Sequence, residues 1–93
     1  MTVPDLSRSD QCWCRAHDAV WRSLAGVTVV TRRGSEDPIT LRGGADLLWR
    51  ALEVPGTPAD LIDDVVAVVP GVSVSALREA FLELSGRGLV VRE

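Results

Sequence analysis

Lysine and tyrosine are absent from this 93-residue sequence, histidine and phenylalanine each occur once, and cysteine occurs twice. Two cysteines a single residue apart, Cys12 and Cys14, do not make the disulfide framework that staples small secreted domains. With His17 they form the only cluster of metal-ligating type, C-x-C-x-x-H, and no further Cys or His completes a closed structural zinc site. They are read as free cysteines, and no metal is expected. His17 has no nucleophile motif near it, and no G-x-S-x-G, phosphate-binding loop or H-E-x-x-H occurs. No catalytic residue and no cofactor are therefore assigned. No apolar run approaches the ~20 residues of a membrane span. The opening MTVPDLSRSD lacks the basic-then-apolar order of a signal peptide. The expectation is a soluble cytoplasmic protein without a membrane partner.

Charge is sparse on one side. All ten basic residues are arginine, against thirteen acids, for a net charge of −3. Residues 1–34 hold five Arg and three Asp; residues 35–93 hold five Arg and ten acids. Phosphate-backbone binding needs clustered positive charge, so an acidic C-terminal part argues against a nucleic-acid partner. The apolar content of 46% is ample for one small core. Division into an N-terminal segment, 1–17, and one domain, 18–93, follows; residues 1–10 are polar and read as mobile.

What is present changes period along the chain. AVWRSL alternates, so one of two sets faces out: Val20, Arg22 and Leu24, or Trp21 and Ser23. Ala25-Gly26 is a short turn, VTVVTR is β-branched, RGSEDP is a turn cluster, and ITL follows. Three antiparallel strands are predicted at 19–24, 27–32 and 38–42. DQCWCRAH before them is either a further short strand or coil. Gly43-Gly44 makes a tight strand-to-helix turn; an anion seat there is opposed by Asp46. Next comes a helix with Ala45, Leu48, Trp49 and Leu52 on its buried face, Asp46 and Arg50 away from it, and Leu47 as a misfit. Thr57-Pro58 opens a second helix by N-cap and N1 rules. Its buried arc is Leu61, Val65, Val68 and Val69, extended by Ile62 and Val66, with Asp60, Asp63 and Asp64 on the wet side. A third helix from Ser73 or Ser75 to Ser85 buries Val74, Leu77, Phe81 and Leu84, and LVVR returns as a strand. The fold class is α+β, winged helix-turn-helix-like, with a three-stranded antiparallel sheet followed by three helices.

Taken in order, the meander, "GADLLWRALEVPGTPADLI" and "LREAFLELSGRGLV" resemble the family of PQQ-biosynthesis protein D. These PqqD-like proteins are known more generally as RiPP recognition elements, and the resemblance covers about residues 18–91. The charged turn 33–37 and the stretch DQCWCRAH depart from the family pattern. The resemblance implies a stand-alone, non-catalytic domain that binds the leader segment of a ribosomally made precursor peptide. It would present that segment to a modifying enzyme, such as a radical SAM maturase, or to a leader protease. In the family the leader adds as a strand to the third strand and lies against the third helix. Carried over, the edge is Pro38, Ile39, Thr40, Leu41 and Arg42, and the helix wall is Arg78, Leu82 and Ser85. The residues give the same role a physical sense. An edge strand exposes unpaired N–H and C=O groups that a peptide can use, and Pro38 cannot donate. Leu82 is off the core arc beside Arg78; it lines the groove or packs on the sheet. The competing reading is a winged-helix DNA-binding regulator, whose recognition helix would offer Arg78 against Glu79 and Glu83.

Overall fold

In the computed structural model, which describes residues 11–35 and 37–93, the chain enters through a short strand, β1 (Trp13–Arg15). The meander follows as β2 (Ala19–Leu24), β3 (Val27–Arg32) and β4 (Ile39–Arg42). The helices are α1 (Gly43–Ala51), α2 (Pro58–Val68) and α3 (Val74–Gly86), and the last element is β5 (Val90–Arg92). The architecture is thus α+β, with a three-stranded antiparallel sheet in the order β2-β3-β4 and three helices. The strands fall where alternation places them, except that Pro38 precedes β4. The expectation of a mobile segment at 1–10 lies outside the described residues, as does Glu36 of the charged turn.

DQCWCRAH contributes β1, which pairs antiparallel with β5 in a second, two-stranded sheet, Cys14 opposite Val91. Trp13 also exchanges main-chain bonds with Gly56, N–H to carbonyl at 2.8 and 3.1 Å. The Pro-Gly break after α1 is thereby tied to the N-terminal strand. Trp13 meets Phe81 edge-on, ring centroids 5.3 Å apart.

Local rules set the helix starts. Thr57 and Ser73 cap α2 and α3, each hydroxyl accepting at 3.2 Å from the amide three residues on. β4 passes into α1 without a loop, because Gly43 takes φ +56, a left-handed conformation costly for any residue with a Cβ. The core gathers Val30 and Leu41 from the sheet, Leu48, Trp49 and Leu52 from α1, and Leu61, Ile62 and Val65 from α2. Leu77, Phe81 and Leu84 of α3 complete it with Leu89 and Val90. Each large side chain buried here contributes about 1.5–3 kcal/mol.

Several placements differ from the helical projections. Asp46 is buried, only 3% exposed, because β3 reaches over it from the sheet. Val66 and Val68 are exposed, Val68 at 78%. α2 packs on α1 and α3 through Leu61, Ile62 and Val65, and that narrower arc leaves its last turn outside. Val74 is exposed in the first turn of α3. Leu47 is half-buried and lines a recess of about 270 Å³ with Val65, Val68 and Val69, so the misfit of α1 faces α2. On β2 both alternating sets are exposed, Val20 and Leu24 more so than Trp21, whose ring meets Trp49 with centroids 5.7 Å apart while 42% of the residue stays exposed.

Candidate functional site

The outer margin of β4 follows from the Ala25-Gly26 turn. A two-residue hairpin loop makes the flanking pair, Leu24 and Val27, a hydrogen-bonded one. Alternation then points the main chain of Val27, Val29 and Thr31 at β2, and that of Thr28, Val30 and Arg32 at β4. The Arg33 amide, which donates to the Asp18 carbonyl at 2.9 Å, continues the same series. Ile39 and Leu41, opposite Val30 and Thr28, therefore bond β3. The groups facing away are the Thr40 and Arg42 N–H and the Pro38 and Thr40 carbonyls. Among the described residues, no strand pairs with that margin. The opposite margin, on β2, is partly taken: the Ala19 amide donates to the Ala16 carbonyl at 3.1 Å.

Beside β4 lies α3. A methyl placed on Gly44 would stand 3.3 Å from Leu77 Cδ2 and 3.4 Å from Ala80 Cβ, so the first turn of α1 is pressed onto that helix. At the other end of β4, Ile39 shares a recess with Arg87, just past the end of α3. The strand and the helix thus run alongside in opposite senses.

These two contacts identify the flank of α3 that faces the head of α1. At about 100° per residue, Ala76, Ala80, Glu83 and Arg87 lie to one side of Leu77. Arg78, Leu82 and Ser85 lie to the other, roughly 80–140° around from Leu77. The approaches between this part of the chain and α3 run from Gly44, at the head of α1, to Leu77 and Ala80, and from Ile39 to Arg87 across one recess. Arg78, Leu82 and Ser85 project from the other flank of α3. Leu82 is 40% exposed, and Phe81, beside that flank, packs on Trp13. The helical wheel defines both flanks; that the Ala80 flank is the one against the head of α1 is shown by the close approach at Gly44, a tertiary feature.

The recess at the start of β4 measures about 350 Å³ and is lined by Asp18, Arg32, Arg33, Asp37, Ile39 and Arg87. Arg32 is committed to Asp18, with Nε at 3.2 Å and Nη2 at 3.0 Å from Oδ2. Those bonds hold the Asp18 carboxyl below its ordinary pKa, because they favour the charged form. Arg87 meets Glu83 at 3.2 Å, both side chains well exposed.

Elsewhere the chemistry is structural. Cys14 is buried within β1 while Cys12 and His17 are exposed, and no group of three metal-capable residues occurs among the described residues. Arg15, not anticipated from the sequence, donates from Nε and Nη2 to the Trp49 carbonyl at 3.0 and 2.6 Å. Its guanidinium lies 4.4 Å from the Trp21 ring centroid, so it closes the end of α1 by charge and by stacking. No helix among the described residues is long and apolar enough to cross a membrane. No family model matches the chain, and neither curated proteins nor solved structures include a match to it.

Proposed function

We propose that this chain is a non-catalytic, winged-helix-like binding module that captures the leader segment of a ribosomally made precursor peptide. Capture occurs by strand addition to β4, and the module then presents the segment to a modifying enzyme or a leader protease. One observation carries this reading: the outward N–H groups of Thr40 and Arg42 and carbonyls of Pro38 and Thr40 lie along a margin flanked by α3. An added strand would sit about 4.8 Å from β4. The resemblance to RiPP recognition elements points to the same strand.

Magnitudes divide the work. Four main-chain bonds at about 1 kcal/mol each give about 4 kcal/mol, a millimolar affinity at best. Recognition above that level comes from side chains of the peptide that reach pockets at the margin.

A displayed library of random short peptides, selected on the immobilised protein, tests the reading. Enriched peptides should protect the Thr40 and Arg42 amides from exchange in the 15N-labelled protein. Failure to enrich any peptide, or amide changes confined to other elements, would discard it.

A further inference from the structure

We infer that two copies of this chain associate about a two-fold axis, the Leu24 side chain of each seated in the recess between α1 and α2 of the other. The contact is separate from strand addition and leaves the outer margin of β4 free.

A knob lies beside a hole. Leu24, the last residue of β2, is 72% exposed, more than any other large apolar residue of the meander. Between α1 and α2 lies a recess of about 270 Å³ whose apolar walls are Leu47, Ala51, Val65, Val68 and Val69. Deleting one leucine side chain from a packed core leaves a void on the order of 150 Å³, so this recess has room for a leucine. Arg50 also lines the recess, and its Nη2 reaches the Leu24 carbonyl, so knob and hole stand within one arginine's length of each other. Leu24 does not fill its own recess, since it stays exposed. A surface that carries both halves of a contact is self-complementary, and a two-fold axis seats both knobs at once and closes the assembly at two.

Charge selects the same occupant. Arg22 lies two residues before Leu24 on the same face of β2, about 7 Å away. Asp64 lines the recess one helical turn before Val68, about 6 Å away. Among the described residues, neither Arg22 nor Asp64 is in an ion pair. Seating Leu24 therefore sets Arg22 beside Asp64 of the second copy, twice over. Arg50, the other charge in the lining, is already matched by Asp46 at 3.1 Å. Stacking two sheets face to face is disfavoured, because Arg22 and Arg42 would meet their own copies and β2, β3 and β4 contain no acid. Two leucines and two ion pairs make an interface below the roughly 1,200 Å² of stable complexes, so association is weak and concentration-dependent.

Sedimentation equilibrium over about 0.01–1 mM protein tests this, and the average mass should rise from one chain towards two and stop there. Leu24→Ser should weaken association by at least about a hundredfold, because two knobs are lost. Arg22→Asp and Asp64→Arg should each weaken it about tenfold, and the two changes in one chain should restore it. All three positions are exposed, and an unaltered melting temperature in dilute solution verifies each fold. A single-chain mass at every concentration, masses beyond two chains, or a dimer indifferent to Leu24→Ser overturns the inference. So does a dimer that slows exchange at the Thr40 amide, since it would be built on β4. Whether peptides add to β4 is read separately, by the library selection.

Discussion

Thr28 donates its hydroxyl hydrogen to the buried carboxylate of Asp46 at 2.6 Å, and this contact seats α1 on the meander. With that hydrogen committed, Ser23 is the donor in its 2.7 Å contact with Thr28. From the other side, Arg50 Nε lies 3.1 Å from both Asp46 oxygens, and its Nη2 reaches the Leu24 carbonyl. The chain Ser23, Thr28, Asp46, Arg50, Leu24 closes around the β2–β3 turn, so a buried charge is satisfied on all sides.

Asp46→Ala is accordingly expected to cost about 2–3 kcal/mol, because it strips partners from two side chains at once. Thr28→Val should cost about 1–2 kcal/mol, since Arg50 still serves the carboxylate. The double variant should cost less than the sum by about 1 kcal/mol, the sign of direct coupling. Urea unfolding midpoints at constant slope measure all three; strictly additive values would show that the hydrogen bond carries no energy.

Asp46 also shows where a linear reading loses the fold. Helical projection separates a wet side of α1 from a buried one, and Leu48, Trp49 and Leu52 fall on the buried side as that projection requires. The projection contains no information about a strand passing over the wet side, so a carboxylate there reads as solvated. The same holds for the α3 flank: both flanks are legible, but the one meeting the head of α1 is chosen by Gly44 against Leu77 and Ala80. β2, β3 and β4 were legible because alternation and a two-residue turn are local signals. Pairing of Trp13–Arg15 with Val90–Arg92 joins three-residue strands from opposite ends of the described chain, and no local pattern encodes it.

The two glycines at the head of α1 should separate backbone from packing effects. Gly43 has open space around it but φ +56, so Gly43→Ala should cost about 1–2 kcal/mol through backbone strain alone. Gly44 has room only for a tight Cβ against Leu77 and Ala80, so the methyl groups added by Gly44→Val should push α1 from α3 at a cost of about 1–3 kcal/mol. Thermal melts rank them. Gly44→Val should in addition shift the Leu77 methyl resonances, which Gly43→Ala should leave in place.

Acid should weaken the tie between Asp18 and Arg32 in a defined window. The Asp18 pKa is depressed below its ordinary 3.8 in the folded chain, first by the hydrogen bonds from Arg32. A depressed carboxyl contributes stability above its unfolded pKa and loses it as pH falls through the folded value. Wild type should therefore melt slightly above Asp18→Asn at about pH 6, with the gap closing below about pH 4. The exposure of the pair keeps the gap small and sensitive to salt. A gap that widened in acid would contradict the pairing.

The direction of each β4 amide can be measured without any ligand. Hydrogen exchange should be slow for Ile39 and Leu41, which bond β3, and fast for Thr40 and Arg42, which face away. Proline substitution reads the same alternation through stability. Leu41→Pro removes a ladder donor next to the core and should cost about 3 kcal/mol or more, enough to unfold much of so small a domain. Thr40→Pro removes only an outward donor; edge positions tolerate proline, so the domain should stay folded, while its affinity for selected peptides should fall by about tenfold or more. Slow exchange at Thr40 in the free protein, or equal damage from the two prolines, would mean that another segment of the chain already occupies this margin, and strand addition would have nowhere to happen.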